Sequence, residues 1–229
     1  MKYGKNYRAI AEKREAGKLY DIKEAVSILK ENRAAQFDET VEIHFHLGID
    51  PKKTDQLVRG TTIFPNSLGR AKRIAVVTGS KSSEAKEAGA DLVGGEELIA
   101  EIKEGKCSPG VHFDILLATP DIMPKLATVA KILGPKGMMP NPKNETVTSK
   151  VKDTVLALKK GSKASFKTDD SGNIHQSVGK ISMPEKELTE NIHSFIDTVQ
   201  RLKPESMKGR LIVSATLATT MGPGFRLSL

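Results

Sequence analysis

Two kinds of hydrophobic pattern divide this chain, and together they restrict its fold more than any other feature. Residues 41–47 alternate strictly between apolar and polar side chains, which predicts a strand with one buried face. Residues 74–77 and 115–118 are instead short, continuous apolar runs, separated by helical segments. Short apolar strands that alternate with helices predict a parallel sheet covered on both faces. The middle of the chain is therefore predicted to form an α/β layer structure.

The alternating pattern returns in the last third of the chain. We predict strands over 164–167 and 174–178, joined as a hairpin by the turn Asp169-Asp170-Ser171-Gly172. Pro184 opens a long helix whose apolar residues repeat at helical spacing, and residues 211–218 form the last predicted strand. This end of the chain thus resembles the first 67 residues, which also mix helix with half-buried strand.

Two breaks separate these patterns, at residues 65–69 and 161–162. Because neither terminal piece has many strands alone, we predict that residues 1–67 and 162–229 form one discontinuous α+β domain. Residues 68–161 would form an inserted three-layer α/β domain of Rossmann-like type. The two breaks are the predicted hinges that would let the inserted domain open and close.

The charge balance favours a polyanionic partner. The 229 residues carry 36 Lys and Arg against 28 Asp and Glu, a formal net charge of +8. Such a domain favours nucleic acid first and an acidic membrane second, although a solvated lysine-rich surface explains the charge about equally well. No apolar run approaches the roughly 18 residues of a membrane span, and Cys107 is the only cysteine. We expect a soluble, cytosolic chain without a disulfide.

Motifs for catalysis and nucleotide binding are largely missing. Neither the phosphate-binding pattern G-x-x-x-x-G-K-[ST] nor a G-x-G-x-x-G after a strand occurs, and no G-x-S-x-G elbow is present. Residues 79–82 (Gly-Ser-Lys-Ser) follow a strand and precede a helix, where phosphate could bind. They support the alternative of a nucleotide-binding α/β protein or enzyme, and a nonspecific basic protein is a further alternative. His44 and His46 share a strand face, but an exposed pair near phosphate is favoured over a metal site. We predict no catalytic residue, metal or cofactor.

The segment 132–143 (Ile-Leu-Gly-Pro-Lys-Gly-Met-Met-Pro-Asn-Pro-Lys) is too rich in Gly and Pro for a helix or a central strand. Its two adjacent Met residues are not typical of a polar linker, so we predict an ordered, irregular loop. A shorter segment of the same character, Thr219-Thr220-Met221-Gly222-Pro223-Gly224, lies near the C-terminus.

Both segments are similar to motifs of the ribosomal protein L-one family, and other segments resemble that family in the same order along the chain. They are Phe37-Asp38-Glu39-Thr40-Val41-Glu42, Leu47-Gly48-Ile49-Asp50-Pro51, Val58-Arg59-Gly60-Thr61, Ala88-Gly89-Ala90-Asp91 and Val93-Gly94-Gly95-Glu96-Glu97. The resemblance runs from about Gly4 to about Leu227 without large gaps. It implies the two-domain organisation described above.

The resemblance also implies a structural constituent of the large ribosomal subunit in the cytoplasm, not an enzyme. Its implied partners are the mobile stalk of the large-subunit rRNA, the exit-site tRNA whose release it aids, and its own operon mRNA. Bacterial members repress translation of that mRNA, which mimics the rRNA site. The free protein is expected to be a monomer that does not bind membranes.

RNA contact is implied, by the same resemblance, for Phe37, Thr40, Glu42, Asp169, Ser171, Gly172, His175, Ser214, Thr220, Met221 and Gly222. Lys136, Gly137 and Lys143 form an implied secondary loop. These residue types suit RNA, because hydroxyls both donate and accept hydrogen bonds, glycines let backbone come close, and Phe and Met provide apolar contact. The residues alone leave open that Phe37 and Met221 belong to the core and that the hydroxyls cap turns.

The chain departs from the family pattern at a few positions beside the expected RNA. Gln36 and His46 stand where many relatives have Lys or Arg, so phosphate attraction there is expected to be weaker. His46 would make it depend on pH near the ordinary imidazole pKa of about 6.5. Asp170 occupies a turn position that is often basic in relatives, which puts its role as a contact in doubt.

Overall fold

The computed structural model describes residues 4–15, 17–32, 35–69, 72–79, 82–142, 145–159 and 161–228. In chain order, its elements are α1 (Lys5–Glu12), α2 (Ile22–Glu31), β1 (Thr40–Leu47), β2 (Arg59–Ile63), β3 (Ile74–Val77), α3 (Ser82–Glu87), β4 (Leu92–Gly94), α4 (Glu96–Lys103), β5 (Ile115–Ala118), α5 (Met123–Leu126), α6 (Ala130–Leu133), α7 (Val151–Lys159), β6 (Lys163–Lys167), β7 (Asn173–Lys180), α8 (Glu185–Arg201), β8 (Ile212–Thr219) and β9 (Phe225–Leu227).

The chain divides into two compact units. The terminal unit comprises Met1–Gly69 and Ala164–Leu229, and the inserted unit comprises Arg70–Lys163. The boundaries predicted from sequence lie at 67/68 and 161/162. The mixture of helices and strands in several sheets confirms the predicted α/β and α+β fold class.

An antiparallel four-stranded sheet in the order β7-β1-β8-β9 forms the frame of the terminal unit. The alternation along β1 determines which side is buried: Val41, Ile43, Phe45 and Leu47 are each at most 1% exposed. Helices α2 and α8 cover that side, and their buried apolar residues belong to the same core. The intervening polar residues of β1 therefore lie on the opposite side of the sheet.

Helix α8 follows Pro184, as the sequence predicts. Its apolar residues repeat every three or four positions, so Leu188, Ile192 and Phe195 reach the core together. Phe195 stacks on Phe45 of β1 with ring centroids 5.4 Å apart. Burying each of these side chains contributes about 1.5–3 kcal/mol to folding. The stacking of Phe195 on Phe45 fixes β1, one of the two inner strands of the sheet, against the helical layer.

The predicted hairpin is wrong in its strand pairing. The turn itself forms, since the Asp169 amide donates to the carbonyl of Asn173 at 2.8 Å. However, β6 pairs with β2, whereas β7 pairs with β1 in the four-stranded sheet. Thr168 donates to the carbonyl of Val58 on one side, and Leu47 donates to the carbonyl of Gly172 on the other. The turn thus passes the chain from one sheet to another.

The inserted unit contains a parallel three-stranded sheet in the order β4-β3-β5. All four residues of β3 are fully buried, because alternate side chains point into cores on both sides of the sheet. One core packs α3 and α7 against the sheet, and the other packs α4, α5 and α6. This three-layer arrangement is the one that the continuous apolar runs predict.

Within the described ranges, no helix combines the length and apolar character needed to cross a membrane.

Candidate nucleic-acid interface

The side of the four-stranded sheet opposite the helices, here called the outer face, carries polar residues from all four strands. Residues in register on neighbouring strands point to the same side of a sheet, so the pairing defines its rows. The rows are Asn173, His46 and Ser214; His175, His44, Thr216 and Arg226; and Ser177, Glu42 and Ala218. Hydroxyl, amide and imidazole groups therefore dominate the outer face.

A pair of histidines occupies the middle row. The Nδ1 atoms of His44 and His175 lie 2.8 Å apart, which requires that one ring donates and the other accepts. Glu42 Oε2 lies 4.0 Å from Nε2 of His44, and Asp169 Oδ2 lies 3.5 Å from Nε2 of His175. Burial, followed by the nearby His175, lowers the pKa of His44 below its ordinary value of 6.5, against the opposing effect of Glu42. The pair favours a neutral His44.

The beginning of β1 holds a second group of predicted RNA contacts. The amide of Thr40 donates to Oγ1 of Thr220 at 3.1 Å, and Lys180 Nζ donates to Oγ1 of Thr40 at 2.7 Å. Phe37 is 52% exposed and Met221 is 56% exposed. The interpretation that these two apolar side chains belong to the core is therefore excluded. The hydroxyl of Thr220 does serve the fold, as the turn-capping interpretation proposes.

The other end of the outer face is bounded by the turn at Asp169. Its carboxylate accepts from the amides of Asn173 at 2.6 Å and Ser171 at 2.9 Å. These hydrogen bonds lower the pKa of Asp169 to about 2, and the one from the Asn173 amide has the largest effect. Ser171 and Asp170 are exposed, and Gly172 is buried. Since turn amides already engage the carboxylate, Asp169 shapes this end of the face and keeps Ser171 at its rim.

The fold itself requires glycine at two of the predicted contact positions, Gly172 and Gly222. Gly172 has φ = +79°, a left-handed conformation that side chains other than glycine rarely adopt. A Cβ atom on Gly222 would lie 2.4 Å from Oγ1 of Thr219, so any larger residue would force the segment apart. Both glycines thus hold the loops at the two ends of the outer face in shape.

Sequence reasoning missed several residues of this surface. Thr216 lies two positions after Ser214 on β8, so period-2 alternation was a signal for it. Lys180 reaches Thr40 only because β7 pairs with β1. Arg226 lies on β9, a three-residue strand after Gly224 that no pattern indicated. The last two depend on strand pairing rather than on local sequence.

Permanent charges are nearly balanced on the outer face. Lys180 and Arg226 supply cations, while Glu42 and the bounding Asp169 supply carboxylates. The net charge of +8 is therefore not concentrated there. Gln36, which precedes β1 in the sequence, is exposed. His46 forms a hydrogen bond of 2.8 Å between its Nδ1 and Oδ1 of Asn173. The outer face offers specific hydrogen bonds more than a dense array of cations.

The loop at 134–142 lies in the inserted unit. Its Met138 and Met139 are half-buried and pack against the core of that unit, so they anchor the loop instead of projecting from it. Lys136 is exposed and its Nζ donates to the carbonyl of Pro109 at 3.0 Å. Gly137 is exposed with φ = +67°. Lys143 lies outside the described residues.

The remaining candidates are the segment 79–82, a metal site and Cys107. Of residues 79–82, Ser80 and Lys81 lie outside the described residues, and α3 after them has only six residues. Among the described residues, no three His, Cys, Asp or Glu side chains are grouped so that they could hold a metal ion. Cys107 is buried, and burial raises the pKa of its thiol.

Comparison with known proteins identifies the class to which this fold and surface belong. The model of the ribosomal protein L1p/L10e family matches residues 29–223, and the chain belongs to that family of ribosomal proteins, which is not a family of enzymes. The resemblance inferred from the sequence motifs is therefore confirmed.

Individual relatives carry the name large ribosomal subunit protein uL1. That of Persephonella marina is 46% identical over 232 residues, covering 100% of this chain and 94% of the relative. That of Thermus thermophilus is 45% identical over 229 residues, covering 99% of this chain and 98% of the relative. That of Mycoplasma capricolum is 44% identical over 226 residues, with the same coverage.

Proposed function

We propose that this protein is a constituent of the large ribosomal subunit in the cytoplasm and that it binds rRNA through the outer face. One observation carries this proposal: Phe37 and Met221, which lie near Thr40 and Thr220 in the sequence, are more than half exposed. Exposed apolar side chains at the border of a rigid polar surface are typical of binding sites. Membership of a ribosomal protein family supports RNA as the ligand.

The chemistry of the outer face suits a folded RNA better than a uniform duplex backbone. Hydroxyl and amide groups such as those of Ser214, Thr216 and Asn173 can pair with base edges and 2′-hydroxyls. The carboxylate of Glu42 can accept from base amino groups or 2′-hydroxyls, whereas it would repel phosphate. Phe37 offers a flat ring on which an unpaired base can stack. Shape and hydrogen bonding thus supply specificity.

The proposed target is the mobile stalk of the large-subunit rRNA. Through that position the protein would contact exit-site tRNA and aid its release, and it would repress its own operon mRNA where that mRNA mimics the stalk. Family membership and the arrangement of the predicted contact residues on one face support RNA as the ligand, and the tRNA and mRNA partners are those that the resemblance implies. The predicted contacts Thr40, Glu42, His175, Ser214 and Thr220 all lie on this face or at its edge.

Titration of the whole protein with a stalk fragment of rRNA tests the proposal. We expect affinity for this fragment at least tenfold above that for an unrelated duplex of equal length at about 0.15 M salt. A matched titration with nucleotides tests the alternative of a nucleotide-binding protein or enzyme. Equal affinity for the two RNAs would show a nonspecific basic protein, and nucleotide binding without RNA binding would favour the alternative based on residues 79–82.

A further inference from the structure

A groove of about 540 Å³ opens on the terminal unit where the end of α8, the beginning of β8 and the end of β9 meet. Its lining, here called the basic groove, consists of Leu19, Gln200, Lys203, Gly209, Arg210, Leu211, Ile212, Val213, Ser214, Ala215, Arg226, Leu227 and Ser228. No family motif or predicted contact other than Ser214 falls in it. Its role is therefore a separate question from that of the outer face.

Charge distinguishes the basic groove from the outer face. Lys203, Arg210 and Arg226 are all exposed, and the described lining residues include no Asp or Glu. Arg226 also belongs to the outer face, where Glu42 and Asp169 offset the cations, whereas Lys203 and Arg210 lie in the groove only. Three cations in a concave site whose described lining carries no carboxylate favour a polyanionic ligand.

The local fold holds Lys203 in place and fixes the backbone position of Arg226. Lys203 Nζ donates to the carbonyl of Gly209 at 2.7 Å, which closes the loop between α8 and β8 next to Arg210. The ammonium of Lys203 keeps two further N–H donors, and each guanidinium can bind a phosphate through two parallel hydrogen bonds. Arg226 is fixed on β9 in register with Thr216.

The remaining lining offers backbone and apolar contacts. In the described part of the chain, β9 pairs with β8 only as far as Ala215. Residues 212–214 therefore have β1 on one edge and the groove on the other. Leu19 is 54% exposed and Val213 is 56% exposed. Apolar side chains beside cations suit a ligand with both sugar or base surfaces and phosphates, as in a nucleic-acid strand.

The basic groove is continuous with the outer face through two residues. Ser214 lies in register with His46, and Arg226 belongs to the middle row beside Thr216 and His44. An RNA seated on the outer face would therefore reach the groove without interruption.

We propose that the basic groove is a second RNA site, which holds a phosphodiester backbone continuing from the RNA on the outer face. This inference rests on the proposed function, since it requires RNA on that face. The groove would supply salt-dependent affinity through Lys203, Arg210 and Arg226, whereas the outer face supplies specificity.

The double variant Lys203→Gln/Arg210→Gln tests this inference against the control Lys23→Gln/Lys186→Gln. The control removes the same charge from exposed positions on α2 and α8, in the helical layer behind the sheet. Arg210→Gln alone leaves the contact between Lys203 and Gly209 intact, so it separates loss of binding from loosening of the loop. Thermal unfolding of each variant shows whether the fold is retained.

Two probes are titrated over a range of salt concentrations: a stalk fragment of large-subunit rRNA with single-stranded flanks, and an oligouridylate. We expect the double variant to bind both probes about 5- to 50-fold more weakly and to lower the salt slope by about 1–2. Arg210→Gln should show roughly half of this loss of affinity on a logarithmic scale. The control should change the affinity by less than about twofold.

Equal affinities of the groove and control variants for both probes would overturn the second site. That result is distinct from failure of the proposed function, which would appear as equal affinity of the unaltered protein for the two probes. Undetectable binding of either RNA by the unaltered protein would overturn both proposals.

Discussion

His44 and His175 share a single hydrogen bond, Nδ1 to Nδ1 at 2.8 Å, across two neighbouring strands at the centre of the outer face. Such a bond needs one protonated and one unprotonated nitrogen. A proton added to the accepting nitrogen would place two donors against each other. The geometry of the pair is thus compatible with at most one charged ring, which agrees with the lowered pKa of His44.

Folding stability should consequently fall when the pH drops below about 6.5. Because the pKa of His44 is lowered in the folded protein, the unfolded chain takes up the proton first. The stabilisation is fully present above the pKa that His44 has in the unfolded chain. It is lost as the pH falls towards the lower pKa that His44 has in the folded protein. Urea unfolding of His44→Gln at several pH values should show a flatter profile than the unaltered protein. His193→Gln, on the exposed side of α8, is the matched control, and a profile for His44→Gln as steep as that control would contradict the prediction.

Thr220→Val should weaken binding of the stalk RNA by about 1–3 kcal/mol, because a polar RNA group would lose its hydroxyl partner. Thr220→Ser keeps the hydroxyl that accepts from the Thr40 amide, so it should bind nearly as well as the unaltered protein. Titrations run well below the unfolding temperature keep both variants folded, so that loss of the fold does not contribute to the measured affinities. If both variants weaken binding equally, the methyl group rather than the hydroxyl of Thr220 contacts RNA.

Asp169→Asn should remove part of the acid sensitivity of the terminal unit. The folded pKa of about 2 lies below the ordinary value of 3.8, so the carboxylate contributes stability above about pH 4 that is lost as pH falls towards 2. The amide oxygen of asparagine can still accept in the turn but does not titrate. Chemical denaturation between about pH 5 and 2.5 should show the two stabilities converging as pH falls. Parallel curves would indicate that the turn contacts of Asp169 do not favour its charged form.

Glu39→Leu should stabilise the folded protein. Glu39 is 0% exposed, and neither of its carboxylate oxygens has a hydrogen-bond partner among the residues that the structure describes. Removing an unsatisfied buried polar group favours folding by about 1–3 kcal/mol. Glu31→Leu, at the exposed end of α2, should change stability by less than about 0.5 kcal/mol. A lower midpoint of urea unfolding for Glu39→Leu would contradict the absence of a partner.

Local periodicity accounts for the parts of the fold that the sequence predicts well. The alternation of β1 identifies both its buried side and the outward positions of Glu42, His44 and His46, and the helical repeat of α8 identifies its packing face. These patterns depend only on neighbouring residues. The same reasoning placed Ser214 in a predicted strand, residues 211–218, that does contribute to the outer face.

Pairing between distant strands explains what the sequence does not reveal. The turn signal at 169–172 is correct, yet it does not show that β6 joins β2 while β7 joins β1. Likewise, no local feature shows that Lys180 reaches Thr40 or that Arg226 lies beside Thr216. The basic groove remained hidden for the same reason, since its lining comes from three separated parts of the chain.

The central position of β1 has a consequence for synthesis of the protein. This strand is translated early, but its two neighbours, β7 and β8, emerge more than 120 residues later, as the separation of 131 between His44 and His175 illustrates. The inserted unit closes through contacts within residues 70–163 and can form while the chain is still growing. A nascent chain that stops before Ile212 lacks β8 and cannot display the outer face. The RNA recognition that we propose for this surface would therefore be confined to chains whose translation is nearly complete.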